Sequence, residues 1–290
     1  MTSLFRNSGG KQLPKANNGN VEINYESFGD PTHPTILLIN GLGSQMTRWP
    51  EAFCARLTAR GYRAIRFDNR DTGHSTWFKE GDRYSLSDMA ADAMAVLDAA
   101  GVAKAHIAGV SMGGMISQAV AINHPDRSLS LTSIMSATGA AGTMDPKPEA
   151  GATLTAVPPD PSKDYEGYLA HGVANAQTIG SPAYPWPDGA LRARVIAEHA
   201  RAFNPTGAAR QMGAIRGDGD RTERLSKLNI PTVVLHGADD PLVQVRGGES
   251  TAAAIPGAEL RVIPGMGHDM PPALYDIFED AILAAVARAT

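Results

Sequence analysis

The sequence is poor in cysteine and has neither a long hydrophobic run nor an excess of basic residues. Cys54 is the only cysteine among 290 residues, so no disulfide can form within the chain. Lysine and arginine number 26 against 30 aspartates and glutamates, and this net charge of −4 argues against nucleic-acid binding. No apolar stretch approaches the roughly 20 residues that a membrane-spanning helix needs. We therefore predict no membrane span, and the single cysteine favours a cytoplasmic location.

The N-terminal stretch lacks the apolar segment of a signal peptide. Residues 1–20 are polar and rich in glycine and asparagine, which predicts that no secretion signal is present.

Cys54 lies within a helical pattern. We expect it to be a small core residue rather than a nucleophile.

Short apolar runs alternate with helical patterns along most of the chain. Strands are predicted at residues 21–26, 35–39, 62–67, 106–109, 129–135, 232–236 and 260–263. Helices are predicted at residues 49–60, 85–100, 112–123, 245–254 and 273–289. This alternation predicts an α/β fold, with a mostly parallel, doubly wound sheet covered by helices on both faces.

The alternation breaks in the middle of the chain. Eight of the 20 prolines lie between Asp145 and Pro187, and the only regular patterns nearby are helical, at 165–177 and 191–203. We predict a helical insertion at 139–224 within a core formed by 1–138 and 225–290. Five of its residues either line an apolar pocket or form the insertion's own small core: Trp186, Tyr184, Tyr168, Met144 and Leu154.

The stretch 107–114 reads as a strand, a tight turn and the start of a helix. Its centre, Gly109-x-Ser111-x-Gly113, has the pattern of a nucleophile elbow. Side chains at Gly109 or Gly113 would collide with adjoining backbone, so glycine suits both positions. The pattern alone is weak, because an ordinary strand–turn–helix corner can have it. We nevertheless predict Ser111 as the nucleophile because other chemical groups fit around it.

A serine nucleophile needs a base, and that base needs an orienting acid. His268 is the best of the eight histidines, because it follows a strand and the pair Gly265-x-Gly267. The acid should follow the preceding strand, where Asp239 and Asp240 both stand. We favour Asp240, because the following proline biases its backbone toward an extended conformation.

The transition state of attack by such a nucleophile carries an oxyanion, so the site also needs two N–H donors. One is expected to be the amide of Met112, directly after the nucleophile. The other is expected to be the amide of Leu42, in the glycine-rich loop 41–43 that follows a buried strand.

These motifs resemble the α/β-hydrolase superfamily across nearly the whole chain. The matching pieces are Asn40-Gly41-Leu42-Gly43, Asp68-x-Arg70-x-x-Gly73-x-Ser75, Gly109-Val110-Ser111-Met112-Gly113-Gly114, Gly237-x-x-Asp240-Pro241 and Gly265-Met266-Gly267-His268. The resemblance implies a Ser-Asp-His triad in that chain order, supports Asp240 over Asp239, and places a cap domain at the insertion. Two pieces look most like aclacinomycin methylesterase-like hydrolases.

Two positions depart from the superfamily's usual pattern. Asn40 stands where many members have histidine, and Asp71 stands where many have glycine. Neither departure touches the predicted triad. The serine at 111 argues against the related dehalogenases and epoxide hydrolases, which use an aspartate nucleophile.

We predict a carboxylic-ester hydrolase that acts on a small-molecule ester and needs no cofactor or metal. Lactonase, C–C bond hydrolase and cofactor-free perhydrolase share the same triad, so the sequence does not separate them. A ligand-binding protein on the same scaffold is a further alternative. Whether the chain forms a homodimer is left open.

Overall fold

The computed structural model describes residues 13–289, so most of the polar stretch predicted to lack a signal peptide lies outside the described residues. Eight strands form one sheet in the order β1-β2-β4-β3-β5-β6-β7-β8. The strands are β1 (Lys15–Asn18), β2 (Val21–Phe28), β3 (Thr35–Ile39), β4 (Arg63–Phe67), β5 (Ala105–Val110), β6 (Ser128–Ile134), β7 (Thr232–Gly237) and β8 (Glu259–Ile263).

Every neighbouring pair from β4 to β8 is parallel, while β1 and β2 join antiparallel at one edge. The predicted, mostly parallel sheet is therefore confirmed. β1 was missed because its sequence, Lys-Ala-Asn-Asn, has no apolar alternation, and it forms only through its pairing with β2.

Helices cover both faces of the sheet, as predicted. They are α1 (Glu51–Ala59), α2 (Leu86–Ala99), α3 (Met112–Asn123), α9 (Arg246–Ala254) and α10 (Tyr275–Ala287). Alternate residues of β3 serve two separate cores. Leu37 packs into the cluster with α2 and α3, whereas Leu38 packs into the cluster with α1 and α10. Cys54 is fully buried in the second cluster, and burial raises the pKa of its thiol to about 12. It is a core residue, as predicted.

Between β6 and β7 the described chain forms five helices and no strand. They are α4 (Pro148–Thr153), α5 (Tyr165–Ile179), α6 (Ala190–Arg201), α7 (Gly207–Asp218) and α8 (Thr222–Leu225). We keep the name insertion for the predicted range, residues 139–224. α5 and α6 were predicted. α7 was missed because glycines at 207, 213 and 217 weaken its helical signal.

Buried ion pairs hold the insertion on the core. Arg201, at the end of α6, donates to both oxygens of Asp68, with distances of 3.1 and 2.7 Å. Arg210, on α7, likewise donates to both oxygens of Asp71, each at 2.8 Å. Both aspartates lie in the loop after β4, and their side chains are fully buried. Paired, bidentate contacts of this kind fix orientation as well as position.

None of the described helices combines the length and the apolar character that crossing a membrane requires.

A histidine is buried within the sheet. His106, in β5, has its Nδ1 atom 2.9 Å from the Ser130 hydroxyl. Burial lowers the pKa of His106 from 6.5 to about 4.

We expect this histidine to make the protein acid-sensitive. Between about pH 6.5 and about pH 4 the unfolded chain binds a proton at residue 106 that the folded chain does not. Stability therefore falls as the pH drops through this window. Burial lowers the pKa of His236 as well, so a fall in pH destabilises the folded protein through this residue too. Since each pKa unit corresponds to about 1.4 kcal/mol, we expect a loss of a few kcal/mol. Thermal unfolding measured at a series of pH values checks it.

The matched variants for this measurement are His106→Asn and His33→Asn. His33 is exposed, so its replacement is the control for the same change of residue type outside the core. His106→Asn should flatten that dependence below pH 6.5. An equal slope in the wild type and in His106→Asn would contradict the assignment.

Candidate active site

Ser111 lies in a strained turn between β5 and α3. Its backbone angles are φ 57° and ψ −123°, a conformation that residues with a side chain rarely adopt. Its amide donates to the carbonyl of Ile134 in β6 over 2.9 Å, which fixes the turn against the neighbouring strand. Its side chain makes no capping hydrogen bond to α3. The hydroxyl is therefore not held by a hydrogen bond to the first turn of α3.

Glycines on either side make this turn possible, as predicted. A Cβ atom at Gly109 would lie 2.1 Å from the carbonyl oxygen of Gly113. A Cβ atom at Gly113 would lie 2.2 Å from the carbonyl oxygen of Ile39, at the end of β3. α3 thus begins directly against β3, whose following loop carries the predicted oxyanion donor.

The structure pairs His268 with Asp240. The Nδ1 atom of His268 lies 2.7 Å from the Oδ2 atom of Asp240, and both side chains are buried. The other carboxylate oxygen, Oδ1, accepts from the backbone amides of Leu242 and Val243, each at 2.9 Å. Asp240 is thereby fixed from one side and holds the imidazole from the other.

Asp239, the competing acid, points elsewhere. Its Oδ2 atom accepts from the amide of Gly265 at 2.8 Å, and its side chain is exposed. A second histidine, His236, lies behind Asp240 with its Nε2 atom 3.6 Å from Oδ2 and 2.7 Å from the carbonyl of Val243. Because burial lowers the pKa of His236, it is neutral at pH 7 and donates to that carbonyl.

The loop after β3 runs directly beside the serine. A Cβ atom at Gly41 would lie 3.2 Å from the Cβ atom of Ser111, so these two backbones are close. The next residue, Leu42, is half-buried. Met112 opens α3, and the amides of a helix's first turn have no acceptor within the helix. The amide of Gly43 is occupied, since it donates to Oε1 of Gln211 on α7 at 2.7 Å.

The three residues of the predicted triad follow the carboxyl ends of parallel strands. Ser111 follows β5, Asp240 follows β7 and His268 follows β8, which meet at one edge of the sheet. Within residues 13–289 no hydrogen bond joins the Ser111 hydroxyl to His268. In ligand-free enzymes such catalytic bonds are often long, and they tighten when substrate binds.

The two departures from the superfamily pattern have local partners. Asn40 donates from Nδ2 to the carbonyl of Phe67 at 3.0 Å, and its own carbonyl accepts from Asn69 at 3.1 Å. Asp71 receives Arg210 from α7 and the hydroxyl of Tyr84 at 2.8 Å. Although burial alone would raise it, these hydrogen bonds lower the pKa of Asp71. Asp71 is therefore an anchor for the insertion.

Of the five large residues singled out in the insertion, Tyr168 belongs to the insertion's own small core and the other four have other surroundings. Tyr168 stacks edge-on against Phe203, with ring centroids 5.6 Å apart, so it belongs to a small aromatic core between α5 and α6. Tyr184 and Met144 pack against the two cores of the sheet. Leu154 is 41% exposed. The indole N–H of Trp186 donates to a carboxylate of the core.

Several residues at this edge were not predicted: Gln211, Arg201, Arg210, Ser181 and Asp269. Each meets its partner across more than 80 residues of sequence, so no local pattern could have identified it. Among the described residues, no group of three histidine, cysteine or acidic side chains is arranged to hold a metal ion.

The sequence and the fold both match known proteins. A model of the α/β-hydrolase fold family matches residues 34–271. Rhodomycin D methylesterase DauP of Streptomyces sp. strain C5 is 30% identical, covering 91% of this chain and 95% of its own. A putative carbamate hydrolase, RutD of Variovorax paradoxus, is 28% identical over 92% of this chain and 97% of its own.

Solved structures of other proteins are also similar to this chain. Est816, described as an N-acyl homoserine lactone degrading enzyme, is 27% identical with a TM-score of 0.71, covering 95% of this chain and 99% of its own. A meta-cleavage product hydrolase of Pseudomonas fluorescens IP01 has a TM-score of 0.79 over 96% of this chain and 98% of its own. At 20% identity that likeness shows the fold alone. Together these matches show that the chain belongs to the α/β-hydrolase fold family.

Proposed function

We propose that this protein is a serine hydrolase of carboxylic esters of small to medium size. The observation that carries the proposal is the buried hydrogen bond between His268 and Asp240, at the same sheet edge as the strained Ser111. The 30% identity to a methylesterase over most of both chains supports an ester substrate. The chemistry requires no metal or organic cofactor.

In the proposed reaction the Ser111 hydroxyl attacks the ester carbonyl carbon while His268 accepts its proton. Asp240 stabilises the imidazolium and keeps the ring oriented. The amides of Leu42 and Met112 bind the oxyanion. His268 then returns the proton to the departing alcohol, which leaves an acyl group on Ser111. A water molecule, deprotonated by His268, attacks that acyl carbon; His268 then returns the proton to the Ser111 oxygen as the bond to the acyl group breaks, and the carboxylic acid departs.

We further propose that residues 139–224 act as a cap domain over this edge. The anchoring contacts support this role, because Gln211 of α7 binds the amide of Gly43, one residue beyond Leu42. Gln211 also donates to the carbonyl of Arg70 at 2.8 Å. The insertion therefore borders the oxyanion loop directly, where a cap would shape the substrate pocket.

The decisive experiment is a substrate panel run with the purified full chain. It contains p-nitrophenyl esters of graded acyl length, a methyl ester of an aromatic acid, an N-acyl homoserine lactone and a simple carbamate. We expect turnover of esters, together with stoichiometric labelling by a fluorophosphonate. Failure of both on every ester would refute the proposal. Turnover of the lactone or the carbamate alone would replace esterase with that activity.

A further inference from the structure

The loop that carries His268 is bound to the insertion at four of its residues, Gly265, Gly267, His268 and Asp269. The histidine loop comprises residues 264–269, and it lies against residues 179–186, which we call the α5–α6 linker. The amide of His268 itself donates to the carbonyl of Ile179 over 2.7 Å. The amide of Ala183 donates to the carbonyl of Gly265 over 3.1 Å. The amide of the proposed base is thus held by the insertion, whereas Gly265 and Met266, earlier in the same loop, bond to Asp239 of the core.

Ser181 is the centre of this contact. Its hydroxyl accepts from the amide of Gly267 at 2.9 Å and donates to Oδ1 of Asp269. Its amide also donates to Oδ1 of Asp269, at 3.1 Å. Residue 181 therefore binds the residues directly before and directly after His268. Ser181 is only 5% exposed, so water cannot easily replace these bonds.

Asp269 is the partner that completes the arrangement. Its second oxygen, Oδ2, accepts from the indole N–H of Trp186 at 2.8 Å. The guanidinium of Arg194 lies over the same indole, 4.9 Å from the ring centroid. Three N–H and O–H donors from the linker thus converge on the carboxyl group of Asp269, so the linker holds both of its oxygens.

The glycines of the histidine loop let the two segments approach. A Cβ atom at Gly267 would lie 2.3 Å from the carbonyl oxygen of Gly180. A Cβ atom at Gly265, where φ is +75°, would lie 2.2 Å from the Cβ atom of Ala183. Both glycines are therefore required by contact with the linker, which is a specific reason for the Gly-x-Gly pattern before His268.

We infer that Ser181 and Asp269 are positioning residues through which the α5–α6 linker sets the place of His268; this inference rests on the proposed function. Asp240 fixes the imidazole by its Nδ1 atom, and the linker fixes the backbone from which the imidazole projects. Alignment of the base with Ser111 then depends on the insertion being seated. A displacement of about 1 Å in a reacting group costs about 10²-fold in rate.

The test compares Ser181→Ala with Thr178→Ala in the full chain. Thr178 is exposed near the end of α5, and its hydroxyl bonds within that helix to Ala174, so it is a matched loss of one hydroxyl. For p-nitrophenyl ester hydrolysis, we expect Ser181→Ala to lower kcat about 10- to 100-fold with KM changed less than about twofold. Thr178→Ala should match the wild type in both constants.

Two further readouts separate alignment from folding. The far-downfield proton resonance of the His268–Asp240 hydrogen bond should shift or broaden in Ser181→Ala and stay unchanged in Thr178→Ala. Asp269→Asn, which keeps the size of the side chain, provides a second variant if Ser181→Ala does not fold. The NH₂ group of the asparagine would face the indole N–H of Trp186, and two donors cannot form a hydrogen bond. The kcat of this variant should therefore also fall.

Wild-type kcat and an unchanged resonance in a folded Ser181→Ala or Asp269→Asn would overturn the inference. A lower unfolding temperature with unchanged kcat would do the same, because it would assign these residues a structural role only. Failure of the proposed function looks different, since the wild-type protein would then hydrolyse no ester at all.

Discussion

Replacing Ser111 by alanine is expected to lower kcat for ester hydrolysis by about 10⁴- to 10⁶-fold, the range that removal of a nucleophilic serine produces in enzymes with this triad. The reason is that no acyl intermediate can form without the hydroxyl. Fluorophosphonate labelling should vanish in parallel. Steady-state kinetics and intact-mass measurement after labelling check both expectations. The variant should fold, because the Ser111 side chain makes no capping bond that alanine would remove.

Ser226→Ala is the control for this experiment. Ser226 is exposed, and its hydroxyl bonds locally to the carbonyl of Glu223. Labelling and kcat should both equal those of the wild type. If Ser111→Ala were still labelled, the nucleophile would have been assigned wrongly. Ser111→Gly offers a second check. Glycine tolerates φ 57° without strain, so this variant should be inactive but more stable by about 1–3 kcal/mol.

Asp240→Asn is expected to lower kcat about 10⁴-fold while leaving the fold intact, by analogy with the equivalent change in a serine protease. The contacts of Asp240 explain this expected loss of activity. Oδ1 of Asp240 accepts two backbone amides, from Leu242 and Val243, so the asparagine must place its oxygen there. Its NH₂ group then faces Nδ1 of His268 and donates to it. The ring is left with its proton on Nε2, where the proposed base needs a lone pair.

The measurement is kcat for a p-nitrophenyl ester, compared with Asp239→Asn. Asp239 is exposed, and its carboxylate bonds only to the amide of Gly265 among the described residues. Its loss should change kcat by no more than a small factor. Equal losses in the two variants would contradict the assignment of Asp240 as the orienting acid.

The sheet and its flanking helices were predictable because their signals are local. β3 is a continuous apolar run, and α2 begins at a capping box in which the side chains of Ser85 and Asp88 each accept from the other residue's amide. α3 has the predicted bounds, Met112–Asn123, because the packed turn at Ser111 fixes its start. β1 was missed because a polar strand gains its stability from its neighbour rather than from its own side chains.

The arrangement of the candidate site was predictable only in part, for a related reason. Ser111, Asp240 and His268 each carry a signal within a few residues: glycine spacing, a following proline, a preceding strand. The contacts that fix the histidine loop carry no such signal. Ser181 binds Asp269 across 88 positions of sequence, and no sequence pattern near either residue predicts this contact. Tertiary hydrogen bonds between loops are decided by the assembled fold.

The ion pairs that seat the insertion also limit how this scaffold can be re-engineered. Asp68 and Asp71 belong to the core, whereas their arginines, Arg201 and Arg210, belong to the insertion. A chimera that imports a relative's helices without arginines at those places would leave two carboxylates buried and unmatched, at a cost of several kcal/mol. Grafting for new substrate selectivity should therefore transfer each arginine with its helix, or replace both aspartates at the same time.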